Sequence, residues 1–256
     1  MNIRASYRYQ LADHKKSIIS FYIIIVLIFA FIFTAIGISV HKNGISLLEG
    51  NFTGVDISSA IFLFVAAMAS YKETFGMMIQ NGISRKTMFA SRILTTVSIA
   101  LVMAVIDKVL LVISKGVASN ISDNLSYVSI YELLYSARVM EVSTVRMHVE
   151  SFFFSISMYL AFMAVGYLIT TIFYRLNKTG KVLLASGLPV GAFVVFPIID
   201  SAVTDHRISK VLTRLFDFAF GFSKQIPFRA MISCTFVFII FSAISWLFIR
   251  KANIKE

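Results

Sequence analysis

The chain has 256 residues, of which 58% are hydrophobic and 14% charged, and its formal net charge is +11. A soluble domain carries about 25% charged residues, so a water-soluble globular fold is excluded. The single cysteine, Cys234, excludes an internal disulfide framework.

Six continuous apolar runs take up about half the chain, near residues 18–40, 57–79, 93–113, 152–173, 182–199 and 228–249. A hydrocarbon core of roughly 30 Å takes about 20 residues of helix. Lipid offers no partner to a bare amide, and the runs are continuous rather than alternating, so they read as helices and not barrel strands. The fold class predicted is all-α, a polytopic membrane protein with one transmembrane domain over 1–256. The connections are too short for a separate soluble catalytic domain.

Residues 1–16 place Ile3, Tyr7 and Leu11 at helical spacing, with Arg4, Arg8 and Lys15 elsewhere; this predicts an N-terminal interfacial helix. The first run exceeds the 7–15 residues of a signal-peptide core and reads as a retained span. The second run carries Tyr71, Lys72 and Glu73 late in its course, so its helix is expected to leave the membrane there and continue in the cytoplasm, beginning a few residues before Ile57.

Asn81-Gly82 then stops the helix, Gly82 taking the left-handed conformation. Ser84 suits the N-cap of a short basic helix over 85–91, and Ile83 and Met88 have the spacing of a hydrophobic staple. The third span follows from Arg92 or Ile93.

Residues 115–150 form the longest polar segment, with a helix expected over 129–140. The connection 174–181 (YRLNKTGK) is short and basic. In the fifth run Pro189 and Pro197 predict a kink or break, and the GxxxG spacing of Gly187 and Gly191 would allow close helix contact. Residues 200–227 mix cations with phenylalanines, reading as one or two short outer helices. Cys234 sits inside the last run and reads as an inert core residue.

Little in the chain points to chemistry of its own. It has no P-loop, HExxH, CxxC or GxSxG motif. His14, His41, His148 and His206 fall outside the apolar runs. Asp107 and Lys108 are the charges clearly within a run. Neighbours on a helix point about 100° apart, so each is expected to have its own partner or to snorkel outward. They stand as a polar site within the membrane, with transport and interfacial packing both open as its role.

The basic excess has a direction. With both termini cytoplasmic, the inner side holds Arg4, Arg8, Lys15, Lys16, Lys72, Arg85, Lys86, Arg92, Arg175, Lys178, Lys181, Arg250, Lys251 and Lys255 against Asp13, Glu73 and Glu256, and the outer side balances. That is the positive-inside pattern, so the charge reports topology rather than nucleic-acid binding.

The stretch QNGISRKTMFASRI, residues 80–93, resembles the segment between the second and third spans of type-2 ATP-binding-cassette (ABC) exporter permeases. The six spans and the N-terminal and outer helices agree with that family in outline. The resemblance implies a cytoplasmic coupling helix that docks into a separate ABC ATPase subunit. Gly82 would set its turn, Ser84 cap it, and Ile83 and Met88 staple it, while Arg85, Lys86 and Thr87 offer donors to the ATPase.

It further implies a second permease, identical or related, in a bacterial cell membrane. No cofactor is expected on this chain, ATP and Mg belonging to the partner. The substrate expected is amphipathic or hydrophobic, above all a toxin or antimicrobial peptide, exported from the cell. Efflux of small drugs or ions, an intramembrane enzyme and a non-transporting sensor are the alternatives. The lack of histidines or paired carboxylates in the runs argues against the enzyme.

Overall fold

The computed structural model describes residues 3–43, 50–121, 125–202 and 206–250. The first two residues of the predicted N-terminal helix and the basic tail at Lys251 and Lys255 lie outside them. The described chain is helical, with six helices long and apolar enough to cross a membrane.

Helix α1 (Ile3–Asn43) leads to strand β1 (Gly50–Phe52), α2 (Val55–Gln80) and α3 (Arg85–Ile121). Strand β2 (Leu125–Tyr127) and two short helices, α4 (Ile130–Leu134) and α5 (Ser136–Glu141), precede α6 (Thr144–Arg175). The fifth span is α7 (Lys178–Val190), a π-helical turn (Gly191–Val195) and α8 (Phe196–Ala202); α9 (Arg207–Phe220) and α10 (Pro227–Arg250) complete the chain.

Local chemistry accounts for the boundaries. Ser129 and Glu132 form a reciprocal capping box at the start of α4. Asn177 Oδ1 accepts from the Gly180 N–H at 2.8 Å and starts α7 only two residues after α6 ends. Gly221, at φ +68, ends α9. Pro189 lies inside α7 and the helix widens into the π turn just beyond it, so the predicted irregularity of this span takes that form.

Four expectations are corrected. Residues 3–16 are not a separate interfacial helix: α1 is continuous. Its packed stripe there is polar, with Ser6, Gln10 and His14 buried and Ile3 exposed. Residues 85–91 are likewise the first two turns of α3, not a short helix of their own. The sequence reading contained no strand, yet β1 and β2 pair in parallel, Gly50 beside Leu125 and Phe52 beside Tyr127. The helix expected over 129–140 is two helices meeting at Tyr135.

The core lies between α2, α3, α6 and the start of α10, built of Ala60, Leu63, Ala67, Ala100, Met103, Met163 and Ala230 among others. Small residues let α2 and α6 approach closely. A side chain on Gly166 would collide with the carbonyl oxygen of Phe64, and Ala67 Cβ lies 3.3 Å from the same point. Thr170 adds a hydroxyl bond to the Met68 carbonyl at 3.1 Å. Helices α1 and α3 run side by side in one direction, with Tyr7 on Ser98 at one end and Tyr22 on Asp107 further along.

Candidate functional site

Two constructions stand out, one at the start of α3 and one in its second half. The first is the α2–α3 hairpin. Gly82 has φ +70; its N–H bonds to the Ile79 carbonyl and the Ile83 N–H to the Met78 carbonyl, both at 2.9 Å. This double closure satisfies the last carbonyls of α2 and needs the left-handed residue that glycine supplies. Ser84 Oγ accepts from the Thr87 N–H at 3.2 Å and shares a 2.8 Å bond with the Thr87 hydroxyl, capping α3. Ile83 packs on the cluster that holds Met88 and Met78. The turn is therefore fixed from both sides.

That cluster reaches four helices, with Tyr71 and Phe75 on α2, Met88 on α3, Tyr167 on α6 and Ile249 on α10. Tyr71 meets Tyr167 edge-on at 5.3 Å and Tyr174 at 5.5 Å. Arg85 donates through Nη1 to the Arg250 carbonyl at 2.7 Å, closing the end of α10. Of the two cations expected to face a partner, Arg85 is thus engaged within the chain and Lys86 is exposed.

Behind the hairpin, α1 docks on α3. Gln10 donates to Ser91 Oγ at 2.7 Å and to the Met88 carbonyl at 3.2 Å, and Ser6 shares a 2.6 Å bond with Ser91. Buried Arg92 bonds His14 Nε2 at 2.9 Å and lies 5.0 Å over the Tyr167 ring. His14 accepts at Nε2 beside this cation, which fixes it neutral in that contact.

The second construction is centred on Asp107, which is 2% exposed. Tyr22 from α1 donates to Oδ1 at 2.9 Å, Ser59 from α2 to Oδ1 at 3.1 Å, and Tyr159 from α6 to Oδ2 at 2.5 Å. One carboxylate thus ties four helices. Among the described residues no Lys, Arg or His lies within ion-pair distance of it. Three hydroxyls take up the carboxyl oxygens where a counter-ion would otherwise sit.

Lys108 goes elsewhere, to the Ser151 hydroxyl on α6, as the angle between neighbours requires. The structure therefore does not bring Asp107 and Lys108 together. Tyr22, Ser59 and Tyr159 are functional candidates that sequence reasoning missed. Their only sequence signal is a hydroxyl inside an apolar run, which many other positions share.

Among the described residues no three His, Cys, Asp or Glu side chains gather to hold a metal. Glu150 is taken up by Tyr131, Arg138 and Arg146. The chain matches no protein-family model, no curated protein and no solved structure. The functional reading therefore rests on the residues themselves.

Proposed function

We propose that this chain is the membrane subunit of an ATP-driven exporter, with ATP hydrolysed by a separate ATPase subunit. The observation that carries the reading is the α2–α3 hairpin, capped on both strokes of the turn and seated on one aromatic cluster shared by α2, α3, α6 and α10. A force on Lys86 and its neighbours reaches four helices at once, because packed cores move as units rather than deform. The same stretch carries the resemblance to type-2 ABC permeases. The substrate proposed is amphipathic or hydrophobic, a peptide first among them, moved by a pair of permeases in a bacterial plasma membrane with both termini inside.

The experiment is purification from native membranes in mild detergent, with mass spectrometry of what accompanies the chain. A P-loop protein in near-equal amount supports the reading; recovery of the chain alone across several detergents sinks it. Within such a complex, Lys86→Glu is expected to leave assembly of the chain intact and lower transport-coupled ATP hydrolysis about tenfold, the size of a lost charged contact. Arg85→Glu is less clean, since it also removes the bond to the end of α10.

A second reading, ion or small-molecule efflux, draws on Asp107. A buried carboxyl group among hydroxyls from three other helices is a site where binding a proton or a small cation would alter helix packing. Uptake assays in vesicles with an imposed ion gradient and no ATPase separate the two readings.

A further inference from the structure

A groove of about 790 Å³ runs between α6 and α10 at the end of the bundle away from the hairpin. Its walls are apolar, with Phe153, Ile156 and Leu160 on α6 facing Phe228, Ile232 and Phe236 on α10. Along α10 the lining extends from Pro227 to Ile239, about 18 Å of helix. One leaflet of hydrocarbon is about 15 Å deep, half of the roughly 30 Å core. The groove is thus one leaflet long.

Its mouth is charged. Arg138 and Arg146 bond the same Glu150 oxygen at 3.0 and 2.8 Å, and Tyr131 satisfies the other at 2.6 Å. The lining of the groove holds two guanidiniums and one carboxylate, and Glu141 acts on Arg138 from outside it, so the uncommitted cation is Arg146. Arg146 commits only its Nε to Glu150, and its side chain is 62% exposed.

We infer that this groove holds an anionic phospholipid. One acyl chain lies between α6 and α10, and the phosphate sits on Arg146 beside Arg138. The registration carries the inference: cation at the mouth, apolar wall below, one leaflet deep. A helix from a second protein would lay apolar side chains against Arg146, whereas a lipid phosphate supplies the anion in line with its own chain. A second open groove, bounded by α2, α6, α9 and α10, is apolar throughout and has no such headgroup end.

The inference goes beyond the exporter reading and is independent of it, because the test needs no ATPase. The full chain is taken from mixed micelles of phosphatidylglycerol and phosphatidylcholine into native mass spectrometry, and the retained lipids are compared. The expected preference for phosphatidylglycerol is about fivefold, the effect of one uncommitted guanidinium near a headgroup. Arg146→Gln is expected to bring the ratio to parity and Arg146→Lys to keep it. Ile232→Trp, which fills the groove, is expected to lower retention of both lipids. Equal retention by the unmodified chain, or a preference that survives Arg146→Gln, overturns the inference.

Discussion

Helix α6 and the fifth span, α7 with its π turn and α8, read alike in the sequence as apolar runs of spanning length, yet they sit differently. More than half of the most apolar stretch of α6 is buried, and none of that of the fifth span is. The residues α6 buries include Ser151, Ser155, Ser157, Tyr159, Gly166, Tyr167 and Thr171. The fifth span exposes Leu183, Leu188, Phe193 and Ile198, and Asp200, at its end, is its buried residue, accepting from the first amides of α9. Helix α1 repeats the contrast within itself. Its early turns bury Ser6, Gln10 and His14, while Leu27 and Phe31 lie open. Beyond Phe29, which meets Tyr127 at the level of Val55, it continues to Asn43.

The physical reason is that lipid tails are as apolar as leucine, so an aliphatic side chain gains little by leaving lipid for protein. Close approach of backbones and hydrogen bonds between helices are what separate a packed span from a solitary one. Apolar length therefore locates spans, and small and polar residues within them locate contacts.

The sharpest break of this contrast is at Gly166. Gly166→Leu is expected to destabilise the α2–α6 pair by about 3 kcal/mol, the upper range for overpacking a filled site, because its side chain would meet the Phe64 carbonyl and Ala67 directly. Unfolding by denaturing detergent, followed by circular dichroism, measures it. A variant as stable as the unmodified chain would mean that α6 and α2 do not touch there.

A smaller effect is expected at the Asp107 junction. Tyr159→Phe removes the one hydroxyl bonded to Oδ2, while Tyr22→Phe leaves Oδ1 with Ser59. Tyr159→Phe is thus expected to cost about 1.5 kcal/mol, the upper end for an ordinary hydrogen bond, and Tyr22→Phe about half of that, near the mean found between membrane helices. The same unfolding assay checks the order of the two, and a reversed order would place the main load on α1 rather than α6.

Legibility in the sequence followed the range of the interaction. The hairpin could be read because Asn81, Gly82, Ile83, Ser84 and Met88 act on one another within eight positions, through caps whose chemistry is local. What became of the helix after the cap was not legible: nothing at Ser91 or Arg92 marks a break, and the backbone runs on. The N-terminal stripe was misread because amphipathicity assumes that apolar means packed. Against α3 the packed residues are hydrogen-bonding ones, which meet Ser91, Met88 and Arg92. The partners of Asp107 come from three helices, 48 to 85 positions away, and no spacing rule reaches that far. The β1–β2 pair is three residues a side, below the length at which alternation can be seen.

The fifth span offers the smallest expected effect and the most informative surprise. Gly187 and Gly191 have the spacing that lets two helices touch, yet a side chain built on either meets nothing within 4 Å. In the single chain, alanine at both positions is expected to be neutral, or stabilising by up to about 1 kcal/mol, since glycine in an open helix interior costs that much in backbone entropy. Lipid would accept the added methyls without penalty. A second helix seated on that face would not, because the approach that GxxxG permits is lost as soon as a Cβ appears. The double variant Gly187→Ala, Gly191→Ala therefore separates two coverings of one surface. Unchanged stability and unchanged mass of the purified particle mean lipid. A fall in stability, together with a fall from a larger particle to a single chain, means that another copy of the chain packs there and that the contrast between α6 and the fifth span holds only until the assembly forms.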